Sequence, residues 1–179
     1  GTQQSIAIGS YAGYSDQGWS AVAVGKNAGE YNQGAVATAV GPSAGEQSQG
    51  QGATALGRMA GYYQQGQDAV ALGHYAGQYY QGTNSVAVGN YAGNDTQGDS
   101  AVAIGYHTAY NLQGANSVSI GISAGQNQQG SDRCGKFAAG ISLAVKIKLL
   151  ETEQYHNQHQ NCGGGIKPAG KRLRICRHV

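Results

Sequence analysis

Three glycine-containing columns recur every 16 residues along the first 132 positions of the chain. They are a glycine that follows an aliphatic residue, an Ala-Gly pair and a Gln-Gly pair. The first column comprises Gly9, Gly25, Gly41, Gly57, Gly73, Gly89, Gly105 and Gly121. Together the columns hold 23 of the 25 glycines that precede residue 133, so the period is more than a by-product of composition. Such fixed self-similarity indicates a repeat architecture and argues against a disordered low-complexity chain.

Each repeat contains one strand signal. The segment 21–24 reads Ala-Val-Ala-Val, and alternation with β-branched residues predicts a β-strand. Glycines close the strand and supply backbone angles that side chains disfavour. A unit with one clear strand, three glycines and no helical periodicity predicts one coil, in which the Ala-Gly pair forms a second strand or a corner. We therefore predict an all-β fold, a β-solenoid (parallel β-roll) of eight 16-residue coils over residues 3–132.

Alternation along the strand also predicts two faces. Val22 and Val24 point to one side and Ala23 to the other. We expect the columns of Val22, Val24 and Ala28 to fill a thin core. The Ala23 column is then an outer strip of small residues, which another chain contacts or which is simply solvated.

Directly stacked coils bring identical residues together as ladders. We expect structural ladders at Val24 with Gly25 and at Gln17 with Gly18. Stacked glutamines form side-chain amide ladders in cross-β assemblies, and the Gln column is unbroken. It comprises Gln17, Gln33, Gln49, Gln65, Gln81, Gln97, Gln113 and Gln129.

Eleven of the twelve tyrosines lie in the repeats. Tyr11, Tyr75 and Tyr91 share one column and are candidate adhesive aromatics, because aligned exposed rings stack on sugars or anchor a protein partner. The alternative is that stacked rings only stiffen the rod. The sequence leaves both interpretations open.

Residues 133–179 form a separate, basic tail. Residues 1–132 contain two Lys or Arg and seven Asp or Glu, a net charge of −5, whereas the tail contains nine and two, a net charge of +7. The stretch 141–151 fits either a strand or a helix, and we expect it to cap the solenoid or, as a helix, to trimerise the chain. A frame change, or vector or fusion sequence, is the alternative origin of the tail.

The tail also contains the candidate metal ligands. They are His156, His159, Cys162, Cys176 and His178. Their order matches no standard zinc-finger spacing, so a solvated tail is favoured and no metal or cofactor is predicted. The basic run 167–177 has no interleaved aromatics, so no nucleic-acid partner is predicted.

No feature of the repeats favours catalysis. Acidic residues are scattered among variable positions, and no phosphate-binding loop or nucleophile–base spacing is present. We predict that the chain is not an enzyme and has no catalytic residues. No apolar run reaches the length of a membrane span, so no membrane insertion is predicted.

The strand motif resembles that of a known family. Residues 20–25 (SAVAVG), 85–89 (SVAVG) and 117–121 (SVSIG) resemble the S-V-A-I-G repeats of YadA-like heads, which belong to trimeric autotransporter adhesins. Similar repeats occur in viral and phage fibres. The resemblance covers about residues 3–132 and implies a trimeric, left-handed parallel β-roll with small residues toward the trimer axis. The family coil is usually shorter, and here a Gln-Gly pair is present in every copy.

These observations predict a structural fibre or appendage component that assembles as a homotrimer or an end-to-end homopolymer. The alternative is an adhesin head that binds a host surface protein or glycan through its outer face. Either function places the chain outside the cell, on a cell surface or on a virion surface. A remote third function is ice or surface binding. Ice binding by threonine ladders needs regular threonine columns, and here only Thr38 and Thr54 stack.

Overall fold

The computed structural model of the protein describes residues 4–132, and the regular elements in that range are short β-strands. Each strand has three residues. In chain order they are β1 (Ile6–Ile8), β2 (Val22–Val24), β3 (Tyr31–Gln33), β4 (Thr38–Val40), β5 (Gln47–Gln49), β6 (Thr54–Leu56), β7 (Tyr63–Gln65), β8 (Val70–Leu72), β9 (Tyr79–Gln81), β10 (Val86–Val88), β11 (Val102–Ile104), β12 (Asn111–Gln113), β13 (Val118–Ile120) and β14 (Asn127–Gln129).

The strands form two parallel sheets that run along the repeat direction. Sheet A has eight strands in the order β1-β2-β4-β6-β8-β10-β11-β13. Sheet B consists of β3-β5-β7-β9 and β12-β14, and isolated bridges from Gln97 to Gln81 and Gln113 connect the two parts. Pairing partners are 16 residues apart, as in Val22 with Thr38. The predicted β-solenoid of about eight stacked turns is thus confirmed.

Backbone hydrogen bonds between coils hold this register. The Val22 amide donates to the Ala37 carbonyl at 2.9 Å, and the Gly41 amide donates to the Val24 carbonyl at 2.8 Å. Gly25 follows the strand with φ +132°, and a Cβ atom there would lie 2.7 Å from the carbonyl oxygen of Gly41. The glycine column is therefore required by backbone angle and by close approach of the next coil.

The Ala-Gly pair lies in a turn between the two sheets. Ala28 and Gly29 belong to this corner, and the second strand begins after them, at Tyr31. Of the two predicted structures for this pair, the corner is the one observed. The second strand instead contains Gln33, a member of the Gln column.

The core consists of alanines, contrary to the prediction from the strand pattern. Ala21, Ala23 and Ala28 are completely buried, as are their equivalents in most coils. Val22 and Val24 are only half-buried, and they point outward. The assignment of the Val22 and Val24 columns to the core was wrong, whereas that of Ala28 was right. The interior between the two sheets is too narrow for branched side chains, so the smaller face of the strand turns inward.

The outer strip expected at the Ala23 column does not exist either. Ala39, Ala55 and Ala71 in this column have no exposed surface. They cannot contact another chain, and the expectation that small residues face a trimer axis is not met by this column. Sheet A instead presents its valine, isoleucine and leucine side chains outward.

We expect Ala71→Val to lower the free energy of unfolding by about 1–3 kcal/mol, because it adds methyl groups to a closely packed column. The matched change Val70→Ile, one residue earlier on the outer face, should have an effect within about 0.5 kcal/mol. Denaturant unfolding followed by circular dichroism measures both. A larger loss for Val70→Ile than for Ala71→Val would contradict the assigned faces.

Candidate functional site

The outer face of sheet A carries two adjoining columns of mostly aliphatic side chains. Leu56 is 42% exposed and Ile120 is 43% exposed, although both lie within β-strands. The first column comprises Ile6, Val22, Thr38, Thr54, Val70, Val86, Val102 and Val118. The second comprises Ile8, Val24, Val40, Leu56, Leu72, Val88, Ile104 and Ile120. We call this surface the aliphatic face. It contains no charged residue.

The Gln column lies inside the solenoid. Gln33, Gln49 and Gln65 are each 2% exposed. The Gln33 side-chain amide donates to Gln49 Oε1 at 3.2 Å, and Gln49 donates to Gln65 Oε1 at 3.1 Å. Each amide also donates across the coil to a carbonyl of sheet A, as Gln33 does to Val22 at 2.8 Å. The column is thus a buried amide ladder that connects both sheets.

In seven of the eight coils, a glycine four residues before the glutamine makes room for its side chain. Gly29 has φ +51°, and a Cβ atom there would lie 2.7 Å from the Gln33 side-chain carbon. Gly18 belongs to the glycine column that directly follows the glutamines. A Cβ atom on Gly18 would lie 2.4 Å from the backbone nitrogen of Ala35, so the glycine leaves space for the backbone of the next coil. The glycine and glutamine columns are therefore coupled by packing.

The ladder changes beyond Gln65. The side-chain amides of Gln81, Gln97 and Gln113 still donate to sheet A carbonyls. Their Oε1 atoms are buried and accept no hydrogen bond from any residue in 4–132. At the last coil Gln129 accepts a hydrogen bond from Ser119 and donates to the Val118 carbonyl. The continuous amide chain is thus confined to Gln17, Gln33, Gln49 and Gln65.

The candidate adhesive tyrosines fall into two groups. Tyr75 and Tyr91 stack with ring centroids 4.7 Å apart and planes inclined by 19°. Tyr11 lies four coils away, where it makes an edge contact at 5.5 Å with Tyr14. All three tyrosines lie in one column, but Tyr11 contacts neither Tyr75 nor Tyr91 because it lies several coils away. Only the first pair forms the ladder that the column predicts.

The tyrosine stack continues into histidines and an arginine. His107 lies 4.8 Å from Tyr91 and stacks on Tyr110 at 5.0 Å. At the other end, the Arg58 guanidinium lies 5.4 Å from the centre of the Tyr75 ring. Such cation–π contacts stabilise by about 0.5–1 kcal/mol at exposed sites. The result is a continuous column of π-systems along one corner of the solenoid.

His74 is fixed between neighbours in adjacent coils. Its Nε2 lies 3.0 Å from Arg58 Nη1, and its Nδ1 lies 3.2 Å from the Asn90 amide nitrogen. Both ring nitrogens of His74 therefore contact side chains of adjacent coils, which holds the ring in place along the column.

Two carboxylates are placed against tyrosines near the other end of the same corner. Glu30 is 6% exposed and accepts a hydrogen bond from the Asn27 side chain. A hydrogen bond with Glu30, followed by its negative charge, raises the pKa of Tyr31. Burial, followed by the charge of Glu46, raises the pKa of Tyr62. These contacts stabilise protonated tyrosines and assemble no acid–base pair with a nucleophile.

Within residues 4–132 no three His, Cys, Asp or Glu side chains are grouped as metal ligands. The candidate ligands His156, His159, Cys162, Cys176 and His178 lie outside the described residues, as does the stretch 141–151. In the described part of the chain no helix has the length and apolar character needed to cross a membrane.

The described residues form a parallel β-roll with coils of about 16 residues, the fold of YadA-like head repeats. Among solved structures the chain is similar to the crystal structure of the collagen-binding domain of the Yersinia adhesin YadA. The TM-score is 0.54 and the sequence identity is 22%, and the match covers 84% of this chain and 99% of the YadA domain. No protein-family model matches the chain, and neither does any curated protein sequence.

The sequence reasoning missed one surface, although a signal was present. Lys26, Arg58 and His74 all immediately follow the glycine that ends a sheet A strand. Lys26 and Arg58 are the two Lys or Arg residues of the first 132. The 16-residue period alone aligns these basic side chains in one column.

We expect Gln49→Glu to destabilise the fold by several kcal/mol at neutral pH. A carboxylate in this position cannot donate to the Thr38 and Ala53 carbonyls or to Gln65, and a buried unpaired charge is costly. Protonation restores one donor, so part of the loss should be recovered at low pH. Denaturant unfolding at both pH values measures this. Gln47→Glu, less buried on the same strand, is the control; equal losses would contradict the ladder.

We expect Glu30→Gln to lower the pKa of Tyr31 toward its ordinary value of 10.0, because the carboxylate that opposes phenolate formation is removed. NMR shifts of tyrosine ring carbons recorded against pH measure the change. Glu46→Gln is the matched control, because its charge acts chiefly on Tyr62. An unchanged Tyr31 titration in Glu30→Gln would contradict the assigned contact.

Proposed function

We propose that the chain is a structural rod of adhesin-head type that associates side by side with copies of itself through the aliphatic face. The observation that carries this proposal is the outward position of valine, isoleucine and leucine side chains on all eight strands of sheet A. Soluble monomers rarely expose a contiguous apolar surface of this kind, and such surfaces usually mark an interface.

A second copy of the chain is the occupant that fits this face. The face repeats at the spacing of the parallel strands, about 4.8 Å, and an identical face matches that spacing along its whole length. The thin core adds a reason to associate, because alanines bury little apolar area per residue and small cores need support from partners. A homotrimer is the stoichiometry that the fold likeness favours.

An adhesive role is the second candidate, favoured by two observations. The similar YadA domain is described as collagen-binding, and the stack at Tyr75 and Tyr91 is partly exposed along one corner. In this function the rod presents a ligand site to a host protein or glycan while the aliphatic face holds the copies together. Both functions place the chain on the outer surface of a cell or virion.

We expect Leu72→Lys and Val88→Lys in the full-length chain to shift sedimentation from a discrete oligomer to a monomer. A lysine on the aliphatic face would be desolvated without a partner charge in the interface, which is strongly unfavourable. The control is Gln64→Lys, which adds the same charge at an exposed position on sheet B.

Three outcomes would contradict the proposal. A monomeric parent chain would show that the aliphatic face is not an interface between copies. Dissociation of Gln64→Lys to the same extent would show that charge rather than location matters. Long filaments that persist in Leu72→Lys and Val88→Lys would show that the rods associate end to end.

A further inference from the structure

The two ends of the sheet A strands differ in charge. Lys26 and Arg58 each follow a strand of sheet A, directly after the glycine. Asp68 and Asp99 lie on the opposite side, two and three residues before the next strand begins. The positions one and two residues after the glycine contain no acidic residue in any coil. These two positions of the corner therefore carry basic side chains and no carboxylate, whereas Glu30 and Glu46 lie five residues after the glycine.

These positive charges are not neutralised by a carboxylate of the solenoid. Among residues 4–132 neither Lys26 nor Arg58 forms an ion pair, and both are exposed. Arg58 instead contacts the His74 ring and the face of Tyr75. The guanidinium thus keeps donor groups and its charge available to an anion from solution.

The aromatic stack on this corner presents edges rather than faces. One side of Tyr75 is covered by Arg58 and the other by Tyr91, and Tyr91 is covered in turn by His107. Ring edges are the positive part of the aromatic quadrupole, and tyrosine adds a hydroxyl donor there. The corner therefore offers donors and positive potential, and few free ring faces.

The backbone makes these aromatic residues costly to place. Tyr75, Tyr91 and His107 have φ of +58°, +55° and +52°. Residues other than glycine and asparagine disfavour this left-handed region by roughly 1–2 kcal/mol each. Stacking returns about 0.5–1.5 kcal/mol per pair, so it only roughly offsets the cost. Stability alone gives little reason for aromatics here, where other coils have Asn27 or Ser43.

We propose that this cationic corner, formed by Lys26, Arg58, His74, Tyr75, Tyr91 and His107, binds an acidic glycan whose sulfate or carboxylate groups lie along the rod. The proposal deepens the adhesive function and rests on it. Neutral sugars and single-stranded nucleic acids both rely on stacking against free aromatic faces, which are covered here. Anionic groups instead need charge and edge donors. This corner supplies Lys26 and Arg58 two coils apart, and the His and Tyr side chains follow in the next three coils.

The test is binding of a short heparin oligosaccharide to the full-length chain at about 0.15 M salt, where long-range attraction is screened beyond about 8 Å. The double variant Lys26→Gln/Arg58→Gln should bind at least about fivefold more weakly, and Arg58→Gln alone should account for most of the loss. Hyaluronate and dextran complete the series. Binding of hyaluronate would show that carboxylates suffice for recognition without sulfates. Dextran, which is uncharged, should not bind.

The matched control is Gln64→Glu/Gln128→Glu, which lowers the net charge by the same two units at exposed positions on sheet B. It should leave heparin binding within about twofold of the parent chain. An equal loss in this control would overturn the proposal, because net charge alone would then govern binding. Binding of dextran as strong as that of heparin, or binding of single-stranded DNA stronger than that of heparin, would also overturn the proposal.

Sedimentation of the same variants separates this inference from the assembly proposal. If the parent chain associates but does not bind heparin or hyaluronate, the glycan site is wrong and the aliphatic face remains as proposed. If heparin binds and the Lys26→Gln/Arg58→Gln variant dissociates, the loss of binding reflects lost assembly, and the assignment of the ligand to this corner is wrong.

Discussion

Hydrogen bonding between residues 16 positions apart is the constraint on which the rest of this structure depends. Each coil donates to and accepts from its neighbours at 2.8–2.9 Å through its strand, as Val22 and Gly41 illustrate. Parallel strands in this register place like residues above one another, so every position of the repeat becomes a column. Burial, hydrogen bonding and exposure are therefore shared by all residues of a column. A single coil has no stable structure by itself, because its contacts are with neighbouring coils.

The column that sets the width of the coil is the buried glutamine. Its amide reaches across the interior to a carbonyl of sheet A and upward to the next glutamine, which satisfies polar groups in a space that excludes water. A glutamine inside a narrow coil leaves room only for alanine opposite. The branched residues of the strand are consequently displaced to the outside, and the aliphatic face follows from the amide ladder.

The register and the number of coils could be predicted from the sequence, whereas the sidedness of the strand could not, and the Ala-Gly pair was left open between a strand and a corner. Period-two alternation defines two faces but leaves open which one is inside, because that depends on the interior width. Larger apolar residues were assumed to be buried, as in wider folds. A better signal was variation between coils: the Ala23 position is nearly constant, whereas Val24 is replaced by Leu56 and Ile104. Steric limits apply inside, and the outer face tolerates such exchanges.

The two ladders of the molecule complement each other along its length. The inner amide chain runs through the early coils and ends at Gln65, and sheet B is interrupted after β9. Ala109 stands where the other coils have glycine. A Cβ atom at the equivalent Gly93 would lie 2.7 Å from Gln97 Oε1, so the Ala109 methyl group reduces the space beside the Gln113 amide within its own coil.

The outer stack occupies these same coils. It runs from Arg58 through Tyr75 and Tyr91 to Tyr110, alongside the glutamines whose side-chain oxygens accept no hydrogen bond within residues 4–132. Ring contacts on the outside thus join the coils that amide contacts join less completely on the inside. A surface held rigid in this way loses little conformational entropy when a ligand binds. Weak contacts of a ligand with ring edges and charged groups can then add up to measurable affinity.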